Sequence, residues 1–262
     1  MSSIPNVLSI AGFDPSAGAG ILSDIKTFES NNVYGLGVCS AITYQNDVNF
    51  KSVDWLSIDN IISQVEILKK RFDFSYVKIG LIESIEVLEA VIAYLTEGPR
   101  LETKYKKVKI IWDPILSASA GYEFHKDMDQ KVVEKICSSI YLITPNWVEV
   151  SKLGATNEAV EAAQQLSKHC NVYLKGGHSE EETARDILFS ENQQHVFEHE
   201  RISNGNKHGS GCVLSSTITA GLARELSLFE ACKSAKDYVN MFFKSSNHLI
   251  GHHSPDRKSC IK

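Results

Sequence analysis

Residues 7–20 read VLSIAGFDPSAGAG. Val7–Ala11 is an apolar run of strand length, and Ala11–Gly20 carries glycines at 12, 18 and 20 before a helical pattern begins. A short apolar run, a glycine-rich turn and a helix make a βα unit whose strand is buried on both faces. Further runs of this kind are Val38–Tyr44, Tyr76–Ile79, Val108–Trp112, Tyr141–Thr144 and Asn171–Lys175. Amphipathic helical patterns separate them. One sets Ile61, Ile62, Val65, Leu68 and Phe72 inward with Asp59 as its expected cap, and another carries Val160, Ala163 and Leu166 behind Asn157. This order predicts a doubly wound three-layer α/β/α sandwich around a central, mostly parallel sheet. After Lys175 the pattern changes. Ala184–Phe189 and Gln194–Glu198, joined by the polar Ser190–Gln193, predict an antiparallel hairpin, and two helices follow near Gly211–Arg224 and Phe229–His248. With no repeat, low-complexity tract or linker, a single domain over residues 1–262 is expected.

Composition narrows the classes of function. Hydrophobic residues make up 43% and charged residues 23%, enough for a substantial core and no basis for disorder. A net charge of -5 without a dense Lys/Arg run argues against a nucleic-acid partner. The N-terminus lacks a basic leader, and no apolar stretch approaches the ~20 residues of a bilayer span. The expectation is a cytoplasmic protein without a membrane partner. The 6 cysteines show neither CxxC nor zinc spacing and read as free thiols in a reducing compartment.

Three segments have compositions that packing alone does not demand. In the first loop, Gly12, Gly18 and Gly20 permit a close approach of backbone to ligand at a strand's carboxyl end, although a tight βα turn explains them equally well. The order is neither GxGxxG nor GxxxxGK[ST], which removes the sequence basis for a dinucleotide fold or a P-loop. The second segment is NKHGSGC, Asn206–Cys212, just before a helix with Val213, Leu214, Ile218 and Leu222. A Gly-Ser-Gly turn at a helix start aims unpaired N–H groups and the helix dipole at one point, an anion site suited to phosphoryl transfer. Cys212 falls in that first turn, where a thiol's pKa is expected to drop, so it could accept a proton from an alcohol. The third is a pair of strand ends, TPNWVEV (Thr144–Val150) and LKGGH (Leu174–His178). Asn146 and Glu149 could hold a hydrated Mg²⁺, and Lys175 could neutralise nucleotide phosphates; alone, Asn146 would be a helix cap and Lys175 a solvated charge.

Taken together, VLSIAGFDPSAGAGILSDIKTF, YGLGVCSAITYQN, VKIGLIES, ITPNWVEV, YLKGGH and NKHGSGCVLSS resemble the hydroxymethylpyrimidine/phosphomethylpyrimidine kinases of thiamine biosynthesis, in the ribokinase-like superfamily. The AGxDPSxGAGxxxDxKTF and HGxGCxLS blocks are specific in combination. The resemblance implies a ribokinase-like sandwich, ATP as phosphoryl donor, Mg²⁺, an aminopyrimidine alcohol or its phosphate as substrate, and a homodimer. It implies that Gln45 reads the aminopyrimidine edge, for which an amide has the right donor and acceptor. It also implies that Asp24 lies near the pyrimidine pocket, and that Gly209, Ser210, Gly211 and Cys212 form the anion hole and the proton acceptor. Lys175, Asn146 and Glu149 match the ATP and Mg²⁺ side.

The chain departs from the pattern at Phe13 and Ala17, where Ser or Thr and Gly are usual, and at GHHSPD (Gly251–Asp256) in place of a GHGPV-like stretch. Pyridoxal kinase activity is the nearest alternative, because the pyridine substrate has similar size. A non-catalytic binding protein on this fold is another, opposed by the retained thiol and glycines. A NAD-dependent oxidoreductase lacks its glycine fingerprint.

Overall fold

The computed structural model describes residues 4–97, 108–117, 124, 129–176, 183–200, 202 and 207–254. Gly177, His178, Asn206, Pro255 and Asp256, which belong to motifs quoted above, lie outside them. The strands are β1 (Asn6–Phe13), β2 (Tyr34–Gln45), β3 (Phe50–Trp55), β4 (Phe74–Ile79), β5 (Lys109–Trp112), β6 (Leu142–Ile143), β7 (Asn171–Leu174), β8 (Thr183–Ser190) and β9 (Gln193–Glu200). The helices are α1 (Gly20–Ser30), α2 (Ile58–Lys69), α3 (Ile85–Glu97), α4 (Gln130–Ser139), α5 (Trp147–Leu153), α6 (Ala159–Leu166), α7 (Ser210–Ala223) and α8 (Leu228–Lys244). All nine strands form one sheet in the order β3-β2-β1-β4-β5-β6-β7-β8-β9. The centre from β2 to β7 is parallel, and β3, β8 and β9 join antiparallel at the two ends.

Strand side chains alternate between faces, so a run that is apolar throughout feeds two cores. Ile110, Trp112, Ile143, Val172 and Leu174 pack in one cluster with residues of α2–α6. Their neighbours Ile111, Leu142 and Tyr173 pack in the other with α7 and α8. Val7 on β1 meets Phe28 of α1 and Ala220 of α7 on that second side. Two helical layers on one mostly parallel sheet make the expected three-layer sandwich. The β8–β9 hairpin also forms as expected, turning through Glu191 and Asn192 with φ of 51° and 60°. Two left-handed residues in a two-residue loop match the twist of the flanking strands.

The structure corrects several local expectations. The sequence FKSVDW is strand β3, which was not foreseen: it holds no fully buried residue and lies at the edge. β2 starts at Tyr34 rather than Val38, because Gly35 and Gly37 let Ile25 and Ile21 of α1 pack directly on the strand. Ser57, not Asp59, caps α2 by accepting from Asn60 N. Asn157 caps nothing, since Glu158 is the N-cap of α6, and Val160 on that helix is exposed. α8 ends at Lys244, short of His248. No helix among the described residues is long and apolar enough to cross a membrane.

Candidate active site

The carboxyl ends of β1, β2, β5, β6 and β7 deliver Asp14, Gln45, Asp113, Asn146 and Lys175 to one end of the sheet, where α7 begins. This is where an open parallel sheet offers a crevice.

Asp14 binds the two glycine segments together. Its carboxylate accepts from Ser16 N and Ala19 N, each at 2.9 Å, and lies 2.9 Å from His208 Nε2. Burial pushes the carboxyl up, but the bonds from His208, Ala19 and Ser16 outweigh it and hold the group below the ordinary aspartate value. The backbone fit is close. Gly20 has φ +60° and Gly209 φ +75°; a Cβ on Gly20 would overlap Gly12 O, and one on Gly209 would overlap Gly18 O. Gly18 itself faces His208 and Ile250, 2.6 Å from where its Cβ would stand, and Gly12 faces Leu81. Ala17 sits at φ 54°, a left-handed conformation that explains why glycine is usual there.

Gly209 is the N-cap of α7 and offers no side-chain acceptor. The first helical bond runs from Val213 N to Gly209 O, and Ser210 N reaches back to Lys207 O. The N–H groups of Gly211 and Cys212 have no partner among the described residues. Beside them stands Lys175, whose Nζ is 3.3 Å from the place of a Cβ on Gly211. Two free N–H groups, a helix dipole and an ammonium therefore converge, as an anion requires.

The ammonium is braced from behind. Lys175 Nζ is 2.9 Å from Asp113 Oδ1 and 3.6 Å from Glu149 Oε2. Burial disfavours the charged lysine, yet these two carboxylates more than compensate and raise its pKa above the ordinary value. Asp113 also accepts from Thr144 Oγ1 and Ser215 Oγ, each at 3.1 Å. Asn146 and Glu149 form a capping box on α5: Asn146 Oδ1 accepts from Glu149 N, and Glu149 Oε2 accepts from Asn146 N. The cap that a lone Asn146 suggests is thus present. Burial raises the Glu149 carboxyl, with Lys175 acting against it.

Two expectations need correction. The helix start does not lower the Cys212 thiol: burial pushes it up to about 11, with Lys78 partly offsetting that rise. Asp24 is not a surface that a ligand could touch. It is fully buried, accepts from Ser9 Oγ (2.6 Å) and Ser216 Oγ (2.8 Å), and pairs with Lys78 Nζ at 2.8 Å. Gln45 ends β2 beside a register shift, partly exposed, and no hydrogen bond to a described residue engages its amide. Phe13 is exposed at the end of β1.

Lys78 and Asp113 were not singled out from sequence, and Asp14 and His208 were quoted within motifs without a role. A lysine inside the apolar run YVKIG, and an aspartate directly after IIW, were the available signals.

A helix N-terminus shaped by glycines with a braced lysine, at the carboxyl end of a parallel sheet, is an arrangement suited to a phosphotransferase. The phosphomethylpyrimidine kinase model matches residues 14–256, and the chain belongs to that family. It is 32% identical over 252 residues to the hydroxymethylpyrimidine/phosphomethylpyrimidine kinase of Rhizobium meliloti, covering 92% of this chain and 91% of that protein. The structure of phosphomethylpyrimidine kinase from Clostridium difficile aligns with a TM-score of 0.74 at 30% identity, over 90% of this chain and 98% of that one. An ADP complex of Bacillus subtilis pyridoxal kinase aligns with a TM-score of 0.82 at 27% identity, over 98% and 100%. As a member of this kinase family the chain is a phosphotransferase.

Proposed function

We propose that the protein phosphorylates the hydroxymethyl group of 4-amino-5-hydroxymethyl-2-methylpyrimidine, and then the resulting monophosphate to the diphosphate, in thiamine biosynthesis. The observation that carries this reading is the meeting of the Gly211 and Cys212 N–H groups with Lys175 Nζ at the end of the sheet. Gln45 presents at the end of β2 an amide that no described residue engages, suited to a ring nitrogen and an exocyclic amine. Gly12, Gly18 and Gly20 allow the first loop to approach the substrate closely.

In the reaction the N–H groups around Gly209–Cys212, with Ser210 opening the helix, stabilise charge on the transferring phosphoryl. Lys175 neutralises the nucleotide phosphates. Cys212 accepts the hydroxymethyl proton. With so high a pKa only a small fraction is thiolate at neutral pH, and the loose transition state of phosphoryl transfer tolerates so scarce a base. Asp24 acts from beneath, through Lys78.

Mg²⁺ fits the site only with few protein ligands. Among the described residues no group of three or more His, Cys, Asp or Glu side chains could hold a metal. One oxygen of Glu149 serves the cap, which leaves Oε1 for a metal-bound water, and Asn146 has one lone pair left beside its cap bond. That suits an ion that keeps most of its waters, and when bound it would neutralise phosphate oxygens.

The same reading makes residues 1–262 one kinase domain, a homodimer working in the cytoplasm without nucleic-acid or membrane partners. Light scattering tests the dimer: a mass of one 29.1 kDa chain would remove it. Pyridoxal is the second substrate reading, favoured by the overlap with Bacillus subtilis pyridoxal kinase. The deciding experiment incubates purified protein with MgATP and, separately, the hydroxymethylpyrimidine, its monophosphate and pyridoxal, measuring ADP and product mass. Fast turnover of both pyrimidines supports the proposal. Faster turnover of pyridoxal moves the enzyme to vitamin B6 salvage, and no ADP from any of them favours the binding-protein alternative.

A further inference from the structure

An ammonium taken fully out of water costs several kcal/mol unless its charge is matched. Lys78 of β4 is fully buried, and it is matched by both oxygens of Asp24 on α1, at 2.8 and 2.9 Å from Nζ. Ser9 and Ser216 complete the shell of that carboxylate. An apolar pair of similar volume commonly serves stability as well as a buried ion pair does. The charges therefore call for a reason other than stability.

That reason lies one helical turn away. Residues four apart stack on one face of a helix. On α1 Gly20 is one turn from Asp24, and on α7 Cys212 is one turn from Ser216. Ser216 Oγ donates to Asp24, while the backbone N–H of Gly20 lies near enough to the Cys212 sulfur to favour its thiolate. The two helices thus touch in register at both levels. The ammonium enters between them from β4, reaching along the strand toward its carboxyl end: a Cβ on Gly80 would stand 3.0 Å from Nζ.

We propose that Lys78 is a positioning residue for phosphoryl transfer, whose ammonium, clamped by Asp24, sets the charge state of the Cys212 thiol from one turn beneath it. This rests on the reading of Cys212 as proton acceptor. In the step it serves, the hydroxymethyl oxygen bonds to the γ-phosphorus, and the bond from that phosphorus to the β–γ bridging oxygen breaks, its electron pair leaving on ADP. The hydroxyl proton passes to the Cys212 thiolate, giving the thiol, and from there to water. Four charged groups face the thiol: Lys78, Asp24, and Asp113 and Lys175 from the ends of β5 and β7. Lys78 is the strongest of them.

The test titrates Cys212 in the whole protein. Alkylation by iodoacetamide is followed against pH on the Cys212 peptide by mass spectrometry, alongside kcat over the same range. Lys78→Met should move the titration up by about one pH unit, leaving about tenfold less thiolate at a given pH. Asp24→Asn should move it down. A merely structural pair would shift both variants the same way or neither, and either result overturns the proposal. Where a single variant fails to fold, Lys78→Met/Asp24→Asn, which leaves no lone charge, replaces it. An upward shift there supports the proposal and an unmoved titration overturns it. A shifted thiol without a matching move in the acid limb of kcat overturns Cys212 as proton acceptor but leaves the hold of Lys78 on the thiol standing.

Discussion

Gly209→Ala and Gly211→Ala add one methyl each to the same tripeptide, and the structure assigns them different fates. At Gly209 the backbone has φ +75°, where an L residue costs about 1–2 kcal/mol. The new Cβ would also overlap Gly18 O and stand 2.8 Å from Ala19 Cα, both backbone atoms of a loop tied down by Asp14. Overpacking of that kind costs about 1–3 kcal/mol, so the total loss is roughly 2–5 kcal/mol, or about 5–15 °C in Tm for a chain of this size. Relief requires the turn to shift, which misdirects the N–H groups of Gly211 and Cys212; losing one such donor lowers kcat by about 10²–10³. At Gly211 the position is helical and the new Cβ meets only the tip of Lys175, at 3.3 Å. Alanine favours a helix over glycine by about 1 kcal/mol, so this variant should melt no lower than wild type while losing turnover. Thermal melts with an ADP-coupled assay decide the matter. A Gly209→Ala protein with wild-type Tm and kcat would refute the reasoning, as would equal destabilisation by the two changes.

Cys212→Ala should lower kcat by about 10²–10⁴ with KM unchanged, and unchanged kcat would remove the thiol from the reaction. A thiol pushed up to about 11 is protonated at neutral pH and gains thiolate as pH rises, so wild-type kcat should climb about tenfold per unit between about pH 7 and 9. A flat profile there argues against a thiolate acceptor. Gln45→Ala removes about 1 kcal/mol of hydrogen bonding and should raise KM for the pyrimidine about fivefold with KM for ATP unmoved. Equal changes in both constants would end its ring-reading role. Ala17→Gly releases a left-handed alanine and, after the extra unfolded-state entropy of glycine, should stabilise by about 0.5–1 kcal/mol in urea denaturation. Destabilisation would show that the loop accommodates Ala17 without strain.

The apolar runs and the helical periods between them determined the sheet, its two covered faces and the terminal hairpin, because burial on both sides demands continuous apolar strands. The same runs concealed β3, whose half-exposed edge carries no such signature. Motif spacing located the glycine segments, Lys175 and Cys212, since the conformations they need are local. It did not reveal that Asp14 joins the two segments through His208, that Asp113 braces Lys175, or that Asp24 lies beneath the site with Lys78. Those pairs span 194, 62 and 54 residues. Nor did it give the direction of the Cys212 shift. A helix start is written in sequence, but the burial that outweighs it is assembled only when α1, α7 and the strand ends close around the thiol.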